Sequence, residues 1–284
     1  MRKNRSGSFS LIILSLLTVL LAIPTIASAQ AAAGVQKAEE YTPTVGQEGK
    51  DVIWVPTPDE LVEAMLNMAK VAPNDTVMDL GSGDGRIVIA AAKRGARATG
   101  FEFNPDMVAL SKRNAENAGV SGKASFVNAD IFASDFSKAT VITMYLLPQL
   151  NLKLRPTILG LKPGTRVVSH AFTMDDWQAD QTIEKEYRTA YLWIVPAKAA
   201  GLWTWQSGPS KAELKLNQKF QMIDGTLKIN GMESPIKDAK LQGDRISFTA
   251  DGQEYSGQVN GDQIEGSVKS GGAQKWSASR TAAK

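Results

Sequence analysis

Apolar residues recur with two different periods along the chain, and the period changes near residue 200. Between about residues 52 and 195, short apolar runs alternate with longer stretches in which apolar residues return every three or four positions. This alternation is typical of parallel strands connected by helices. Beyond about Gly201, apolar and polar residues alternate one by one, with regularly spaced glycine-containing turns, which predicts antiparallel strands.

The first region, residues 51–198, predicts a Rossmann-like, doubly wound α/β domain. Seven strands are expected, with the last one antiparallel. They cover residues 76–80, 97–102, 124–128, 140–145, 165–172, 182–188 and 190–195.

Helix signals fall before and between these strands. Thr57 is predicted to cap a helix starting at Pro58, because Glu60 completes a capping box three residues later. A long amphipathic helix is expected from Pro105. A helix over residues 150–159 is expected to break near Pro156, since proline lacks an amide N–H.

The second region, residues 199–284, predicts a small antiparallel β module, either a meander or a half-open barrel. Its strand-like runs are residues 214–216, 227–229, 246–250, 255–259, 264–268 and 276–278. Its tryptophan and tyrosine side chains are expected to pack in the core, the alternative being a binding face.

The N-terminal residues 1–29 have the pattern of a secretory signal peptide. Arg2, Lys3 and Arg5 precede an apolar run over residues 11–24, and cleavage is expected after Ala29. The run is shorter than the roughly 20 residues of a membrane span, so no stable span is expected in the mature form. An uncleaved anchor is the alternative. We therefore predict an exported protein, periplasmic or secreted, with residues 30–50 as a flexible lead-in.

Charge and cysteine content exclude several classes of function. The formal net charge of +3 falls to about 0 without residues 1–29, which carry three basic and no acidic side chains. Nucleic-acid binding needs basic patches, so no nucleic-acid partner is expected. The chain has no Cys and one His, which excludes disulfides and thiolate metal sites, and no metal site is predicted.

The most informative stretch is a glycine-rich turn between a predicted strand and a helix. Asp79 lies at the end of the strand, and Gly81, Gly83 and Gly85 follow, where the backbone turns tightly and leaves amides open to a ligand. Arg86 stands where a dinucleotide fingerprint has glycine, and the lysine of a P-loop is absent. A carboxylate beside open amides suits a ligand with an ammonium group rather than a phosphate.

This Asp-x-Gly-x-Gly-x-Gly turn resembles motif I of the class I methyltransferases, which use S-adenosyl-L-methionine. The resemblance implies that cofactor, with Asp79, Gly81 and Gly83 holding its methionine end. For the isolated motif, the alternative is a glycine turn that serves only strand-to-helix packing.

Two further strand ends carry acidic residues at positions that match this family. Glu102 would accept hydrogen bonds from both ribose hydroxyls; the alternative is an ordinary surface strand end. Asp130 matches the adenine-binding position, with Ile131 packing on the ring, although Asp there is also a common turn former. The resemblance also brings Thr57 close to the cofactor, or else Thr57 only helps to cover a sheet edge.

The methyl acceptor is expected beside the end of the fourth strand. The Asn/Asp-Pro-Pro-Tyr signature of many base and amide N-methyltransferases is absent there. Residues 55–56, 79–88, 100–105 and 148–149 together resemble the lysine methyltransferases of the ATP synthase c subunit and the adenine nucleotide translocase. The resemblance implies a protein lysine as acceptor, with Tyr145 and Pro148 bordering its channel. The lone His170 is expected to be structural rather than a base.

The predicted export conflicts with the predicted cofactor, because S-adenosylmethionine is made inside the cell. The alternative function is therefore an exported binding or scaffold protein that keeps the methyltransferase fold and interacts through the β module. Three carboxylates aimed at one cavity favour a pocket that is still in use.

Overall fold

The computed structural model describes residues 41–269 and 273–281. The predicted signal peptide and residues 30–40 of the predicted lead-in lie outside the described residues. Within the described part, no helix combines the length and the apolar character needed to cross a bilayer.

A seven-stranded mixed sheet forms the first region, as the sequence predicts. Its strands are β1 (Thr76–Leu80), β2 (Arg97–Glu102), β3 (Ala124–Asn128), β4 (Val141–Met144), β5 (Arg166–His170), β6 (Gln181–Lys185) and β7 (Arg188–Ile194). They lie in the order β3-β2-β1-β4-β5-β7-β6. The first five in this order are parallel, and β7 runs antiparallel to both of its neighbours. The strand order reverses between β1 and β4, where doubly wound sheets bind ligands at the carboxyl ends of their strands.

Helices cover both faces of this sheet and bury a separate core on each. They are α1 (Asp59–Met68), α2 (Arg86–Lys93), α3 (Pro105–Asn117) and α4 (Pro148–Leu159). Consecutive residues of β4 contribute to different cores: Val141 packs with the α1–α3 face and Ile142 with the α4 face. This is the expected result of alternating side chains along a strand.

The predicted break of the last helix is wrong. The helix α4 continues to Leu159 with Pro156 inside it. Proline removes one helical hydrogen bond, but Leu154 and Ile158 are buried on either side of it. Tertiary packing of this apolar face outweighs the local penalty.

Nine strands within residues 201–280 of the described chain form an antiparallel sheet. They are β8 (Gly201–Ser207), β9 (Ser210–Lys219), β10 (Met222–Ile229), β11 (Met232–Pro235), β12 (Lys237–Gln242), β13 (Arg245–Ala250), β14 (Gln253–Asn260), β15 (Gln263–Lys269) and β16 (Ala273–Arg280). Each pairs with its neighbour along the chain except at β11 and β12, and β16 pairs back onto β8. The sheet is thus an up-and-down barrel that is nearly closed, with its gap between β11 and β12.

Three barrel strands, β8, β11 and β12, were missing from the sequence prediction. The two strands beside the gap show little apolar alternation, and Leu241 is the buried apolar side chain of β12. The remaining strand, β8, begins at Gly201, where the spacing of apolar residues changes. Neither spacing continues through enough residues there to predict a strand.

The barrel interior is filled by aromatic side chains, as expected. The Trp276 ring lies 4.9 Å from that of Trp205 and 5.9 Å from that of Tyr255, which stacks on Phe248 at 4.8 Å. The indole N–H of Trp276 donates to the carbonyl oxygen of Ser256 at 3.0 Å. These rings are buried and packed against one another, which is the pattern of a core.

The turn between β9 and β10 joins the barrel to the first region. The Phe220 ring stacks on Trp177 at 5.7 Å. The indole N–H of Trp177 donates to Gln221 Oε1 at 2.9 Å, and Lys219 forms an ion pair with Asp176 at 3.2 Å. None of these contact residues belongs to the loops that follow β1 and β2.

Candidate active site

A cavity of about 280 Å³ opens at the carboxyl ends of the parallel strands. Its walls come from the loops after β1, β2, β3, β4 and β5 and from residues 47–57, which precede α1. Both acidic and apolar side chains line it. All seven predicted cofactor residues line it: Thr57, Asp79, Gly81, Gly83, Glu102, Asp130 and Ile131.

The glycine turn after β1 brings backbone amides to the cavity wall. At Gly83 the φ angle is +53°, and an added Cβ would lie 2.7 Å from the indole nitrogen of Trp54. Glycine is required here on both grounds. The amide N–H of Gly83 donates to Glu102 Oε2 at 2.9 Å, so the turn is tied to the end of the neighbouring strand.

Asp79 is a buried carboxylate at the floor of this cavity. Its side chain is 2% exposed, and Oδ1 accepts a hydrogen bond from Thr143 Oγ1 at 2.7 Å. Burial, opposed by the hydrogen bond from Thr143 and reinforced by the nearby carboxylates of Glu102 and Asp84, raises the pKa of Asp79 to about 7. An ammonium group in the cavity would stabilise the ionised form, which is what the methionine end of the predicted cofactor offers.

Glu102 at the end of β2 uses both of its carboxylate oxygens locally. Oε2 accepts from the amide of Gly83, and Oε1 accepts from the amide of Asn104 at 2.9 Å. These bonds fix the plane of the carboxylate while each oxygen keeps acceptor capacity. The Glu102 carboxylate is therefore oriented to accept hydrogen bonds from the two hydroxyls of a ribose in the cavity.

Asp130 follows β3 and is already paired with a side chain that the sequence analysis did not consider. Its Oδ2 contacts Lys50 Nζ at 2.7 Å, and its Oδ1 accepts from the amide of Phe132 at 2.9 Å. The hydrogen bond from Lys50 holds the pKa of Asp130 below its ordinary value, with that of Phe132 adding to the effect. Ile131 lines the cavity beside it.

The predicted capping role of Thr57 is wrong. Pro58 occupies the N-cap position of α1, with no side-chain cap. The Thr57 hydroxyl instead lies 3.0 Å from His170 Nδ1, and its carbonyl oxygen accepts from Arg86 Nη1 at 2.9 Å. The Thr57 hydroxyl therefore pairs with the buried imidazole of His170 instead of accepting a hydrogen bond from an amide of α1.

Arg86, which replaces the third glycine of a dinucleotide fingerprint, forms a short-range ion pair. Its guanidinium reaches Asp84 Oδ2 at 2.6 Å. Hydrogen bonding to Asp84 raises the pKa of Arg86. The side chain thereby links the glycine turn to the segment ahead of α1 through its bond to Thr57.

The two predicted catalytic residues are placed differently. Tyr145 lies just beyond β4 and lines the apolar side of the cavity with Leu147 and Phe172. Pro148 is the first residue of α4 and is not among the described residues that line the cavity.

His170 lies behind Tyr145, with its ring centroid 3.8 Å from that of the phenol. Burial, together with the smaller effect of the positive charge of Arg188, lowers the pKa of His170 to about 4. The imidazole is therefore neutral at physiological pH and supports the Tyr145 ring and Thr57, in keeping with the structural role expected of it.

Residues 47–56 were missed as a wall of the site. They fold back on themselves, since the amide of Trp54 donates to Gln47 O at 2.9 Å and the amide of Gly46 donates to Trp54 O at 2.8 Å. The available signal was the apolar triplet Ile53-Trp54-Val55, which stands out from the polar residues before it.

Comparisons with known proteins agree with this geometry. A family model, the ANTKMT methyltransferase domain, matches residues 79–181. A protein-lysine N-methyltransferase from Saccharolobus islandicus is 44% identical over 151 residues, which make up 51% of this chain and 94% of that protein. The chain belongs to the S-adenosylmethionine-dependent methyltransferases.

Two other relatives of this methyltransferase are named for different methyl acceptors, one a protein and the other RNA. The mouse lysine N-methyltransferase named for the ATP synthase c subunit is 35% identical, and the match covers 51% of this chain and 59% of that protein. A solved structure from Salinibacter ruber, described as an RNA methyltransferase in complex with S-adenosyl-L-homocysteine, is 49% identical. It covers 51% of this chain and 95% of that one, with a TM-score of 0.50. The barrel lies beyond the residues that the family model matches.

Proposed function

We propose that this methyltransferase transfers a methyl group to the side-chain amine of a protein lysine. The observation that carries the proposal is the 44% identity to the archaeal protein-lysine N-methyltransferase across 94% of that protein. The composition of the cavity wall supports it, because part of that wall is apolar. Tyr145, Leu147 and Phe172 offer a surface that suits the aliphatic stem of a lysine.

The cofactor residues are proposed on the fit of the chemistry. S-adenosylmethionine supplies an electrophilic methyl group on a sulfonium centre when it is bound. Asp79 would hold the ammonium of its methionine end, and this contact would complete the ionisation that burial opposes. Glu102 would accept from the ribose hydroxyls, and Asp130 with Ile131 would hold the adenine.

The protein contributes mainly alignment to the transfer. The lysine nitrogen must be neutral, and the apolar wall at Tyr145 and Phe172 favours the uncharged amine because burial disfavours an ammonium. With the cofactor held by Asp79, Glu102 and Asp130, the amine lone pair would take the methyl group, the sulfonium would leave as a neutral thioether, and the amine would lose a proton to water. Because one cavity would hold both reactants, their proximity would supply most of the rate enhancement. The neutral His170 adds no positive charge behind the acceptor side.

A methyl-transfer assay on total protein and total RNA tests the acceptor. Full-length protein would be incubated with methyl-labelled S-adenosylmethionine and each macromolecular fraction, and the labelled protein would be hydrolysed to amino acids. The expected result is label in methylated lysine, and its loss in Asp79→Ala. Tyr145→Ala should lower the rate more than it weakens cofactor binding.

RNA is the second candidate acceptor, because the similar protein from Salinibacter ruber is described as an RNA methyltransferase. The near-zero net charge of the chain without residues 1–29 works against it, since RNA binding draws on basic surface. Label confined to the RNA fraction would overturn the lysine proposal. No label in either fraction, with cofactor still bound, would favour the scaffold alternative.

We also propose that the protein is exported, on the basis of the signal-peptide pattern in residues 1–29. Cell fractionation followed by detection of precursor and mature forms tests it. A processed, periplasmic or secreted product is expected. A full-length cytoplasmic product would contradict export and would remove the conflict with the supply of the cofactor.

A further inference from the structure

The wall segment, residues 47–56, lies outside the residues that the family model matches, yet it borders the cofactor cavity along its whole length. It is held by its own turn, in which the amide of Gly49 donates to Val52 O at 3.0 Å. Lys50 lies in this turn, and its ammonium group contacts residues in the loops after β2 and β3.

Lys50 contacts two groups that belong to neighbouring strand ends. Its Nζ lies 2.7 Å from Asp130 Oδ2, after β3, and 4.6 Å from the ring centroid of Phe103, after β2. Phe103 is 51% exposed and lines the cavity. The ammonium group therefore donates to a carboxylate while it covers the face of an aromatic ring.

An aminopurine would use the same two groups in the same way. Its exocyclic amine donates a hydrogen bond, and its flat face stacks on an aromatic or apolar surface. Asp130 is the residue proposed above to accept from the adenine amine. A base held there by Asp130 would meet the Phe103 face that Lys50 now covers.

We propose that Lys50 occupies the adenine subsite and must be displaced when the cofactor binds, so that it lowers the affinity of the site. The inference rests on the proposed adenine role of Asp130. The Lys50 side chain is 35% and that of Asp130 33% exposed. Exposed ion pairs contribute little stabilising free energy. Removal of the Lys50 charge should therefore change the affinity for the cofactor by about 2- to 5-fold rather than by orders of magnitude.

Calorimetric titration with S-adenosylhomocysteine tests this proposal. The full chain would be compared with Lys50→Met, which keeps the aliphatic stem and removes the charge. The dissociation constant should fall by about 2- to 5-fold in the variant. Because salt screens exposed pairs, the two constants should converge as salt is raised from about 0.05 M to about 0.5 M.

Lys153→Met is the matched control. Lys153 also lowers the pKa of Asp130 through its charge, but its ammonium lies over the Phe132 ring at 3.7 Å and it does not line the cavity among the described residues. It should leave the affinity unchanged. An equal gain in both variants would show a general charge effect and would overturn the displacement of Lys50.

A second comparison separates this inference from the role of Asp130. Asp130→Ala in the Lys50→Met background should weaken binding. If it does not, the adenine role of Asp130 fails, and the inference fails with it. If it does weaken binding while Lys50→Met alone has no effect or weakens binding, Asp130 keeps its role and the displacement of Lys50 is excluded.

Discussion

The cavity at the strand ends and the barrel interior are both lined by aromatic and apolar side chains, but their polar groups differ. In the barrel, Trp276 is packed against other rings, and its N–H is satisfied by a backbone carbonyl. In the cavity, Asp79 is buried with its pKa raised to about 7, and the Phe103 ring in the cavity wall is half exposed. A region that serves only stability would not be expected to keep a buried carboxylate of raised pKa beside a half-exposed aromatic ring. The contrast indicates that the cavity binds ligand and that the barrel interior is a core.

The largest effect should come from truncating the barrel core. Trp276→Ala removes a buried indole and leaves a cavity, so the free energy of unfolding should fall by about 3–5 kcal/mol. Urea denaturation followed by circular dichroism measures it. The affinity of the protein that remains folded for S-adenosylhomocysteine should be unchanged.

Trp54→Ala is the matched control, because this indole is half-buried and packs on Gly83 at the cavity wall. It should lose less stability than Trp276→Ala and should weaken cofactor binding. If Trp276→Ala instead abolished binding in a folded protein, the barrel would have to be counted as part of the site.

Asp79→Asn should stabilise the ligand-free protein while it destroys the site. The pKa of Asp79 is about 7 in the folded protein, against an ordinary value of 3.8. Between these values the folded state keeps a proton that the unfolded state has lost, so stability falls as pH rises from about 4 to about 7. Asparagine does not ionise, so the variant should exceed wild type by on the order of 2–4 kcal/mol at pH 8.

Urea titrations across pH 4–8 measure this difference, which should shrink toward zero at the acid end. Cofactor affinity provides the complementary readout. An ammonium group favours ionised Asp79, so wild-type affinity for S-adenosylmethionine should rise with pH up to about 7 and then level off. A flat profile in wild type would show that Asp79 is not the ammonium partner.

Sequence reasoning could find the three carboxylates for a geometric reason. Asp79, Glu102 and Asp130 each lie at or just after the end of a parallel strand, and the carboxyl ends of such strands meet at one edge of a sheet. Their convergence therefore needs only the strand assignments.

The hydrogen-bond partners of Asp130 and Thr57 could not be predicted in this way, because they lie far away in the sequence. Lys50 and Asp130 are 80 residues apart, and Thr57 and His170 are 113 residues apart. The local signal at Thr57 favoured a helix cap, and the tertiary contact overrode it. A polar stretch such as residues 47–52 carries no periodicity from which a wall position can be read.

Glu102→Ala should have a smaller effect than Asp79→Asn, and on affinity rather than stability. The lost acceptor for the ribose hydroxyls should weaken cofactor binding by about 1–3 kcal/mol. Calorimetry with S-adenosylhomocysteine measures it. Because Glu102 also accepts from Gly83 N and Asn104 N, part of the loss would come from the loosened turn.

Asp106→Ala controls for a lost carboxylate nearby, since Asp106 lies in the first turn of α3 and does not line the cavity among the described residues. Its affinity should match wild type. If Glu102→Ala behaved like this control, the ribose assignment would be abandoned.

The smallest effect is expected at Pro148, which the family resemblance places beside the acceptor channel. Pro148 begins α4, where its fixed φ suits the first turn, and alanine is also accommodated there. Pro148→Ala should change the free energy of unfolding by no more than about 0.5 kcal/mol and leave cofactor affinity intact. Its kcat/KM with the protein acceptor should stay near that of wild type, whereas that of Tyr145→Ala should fall. A rate loss at Pro148 as large as that at Tyr145 would mean that the acceptor approaches along the start of α4, beyond the cavity wall.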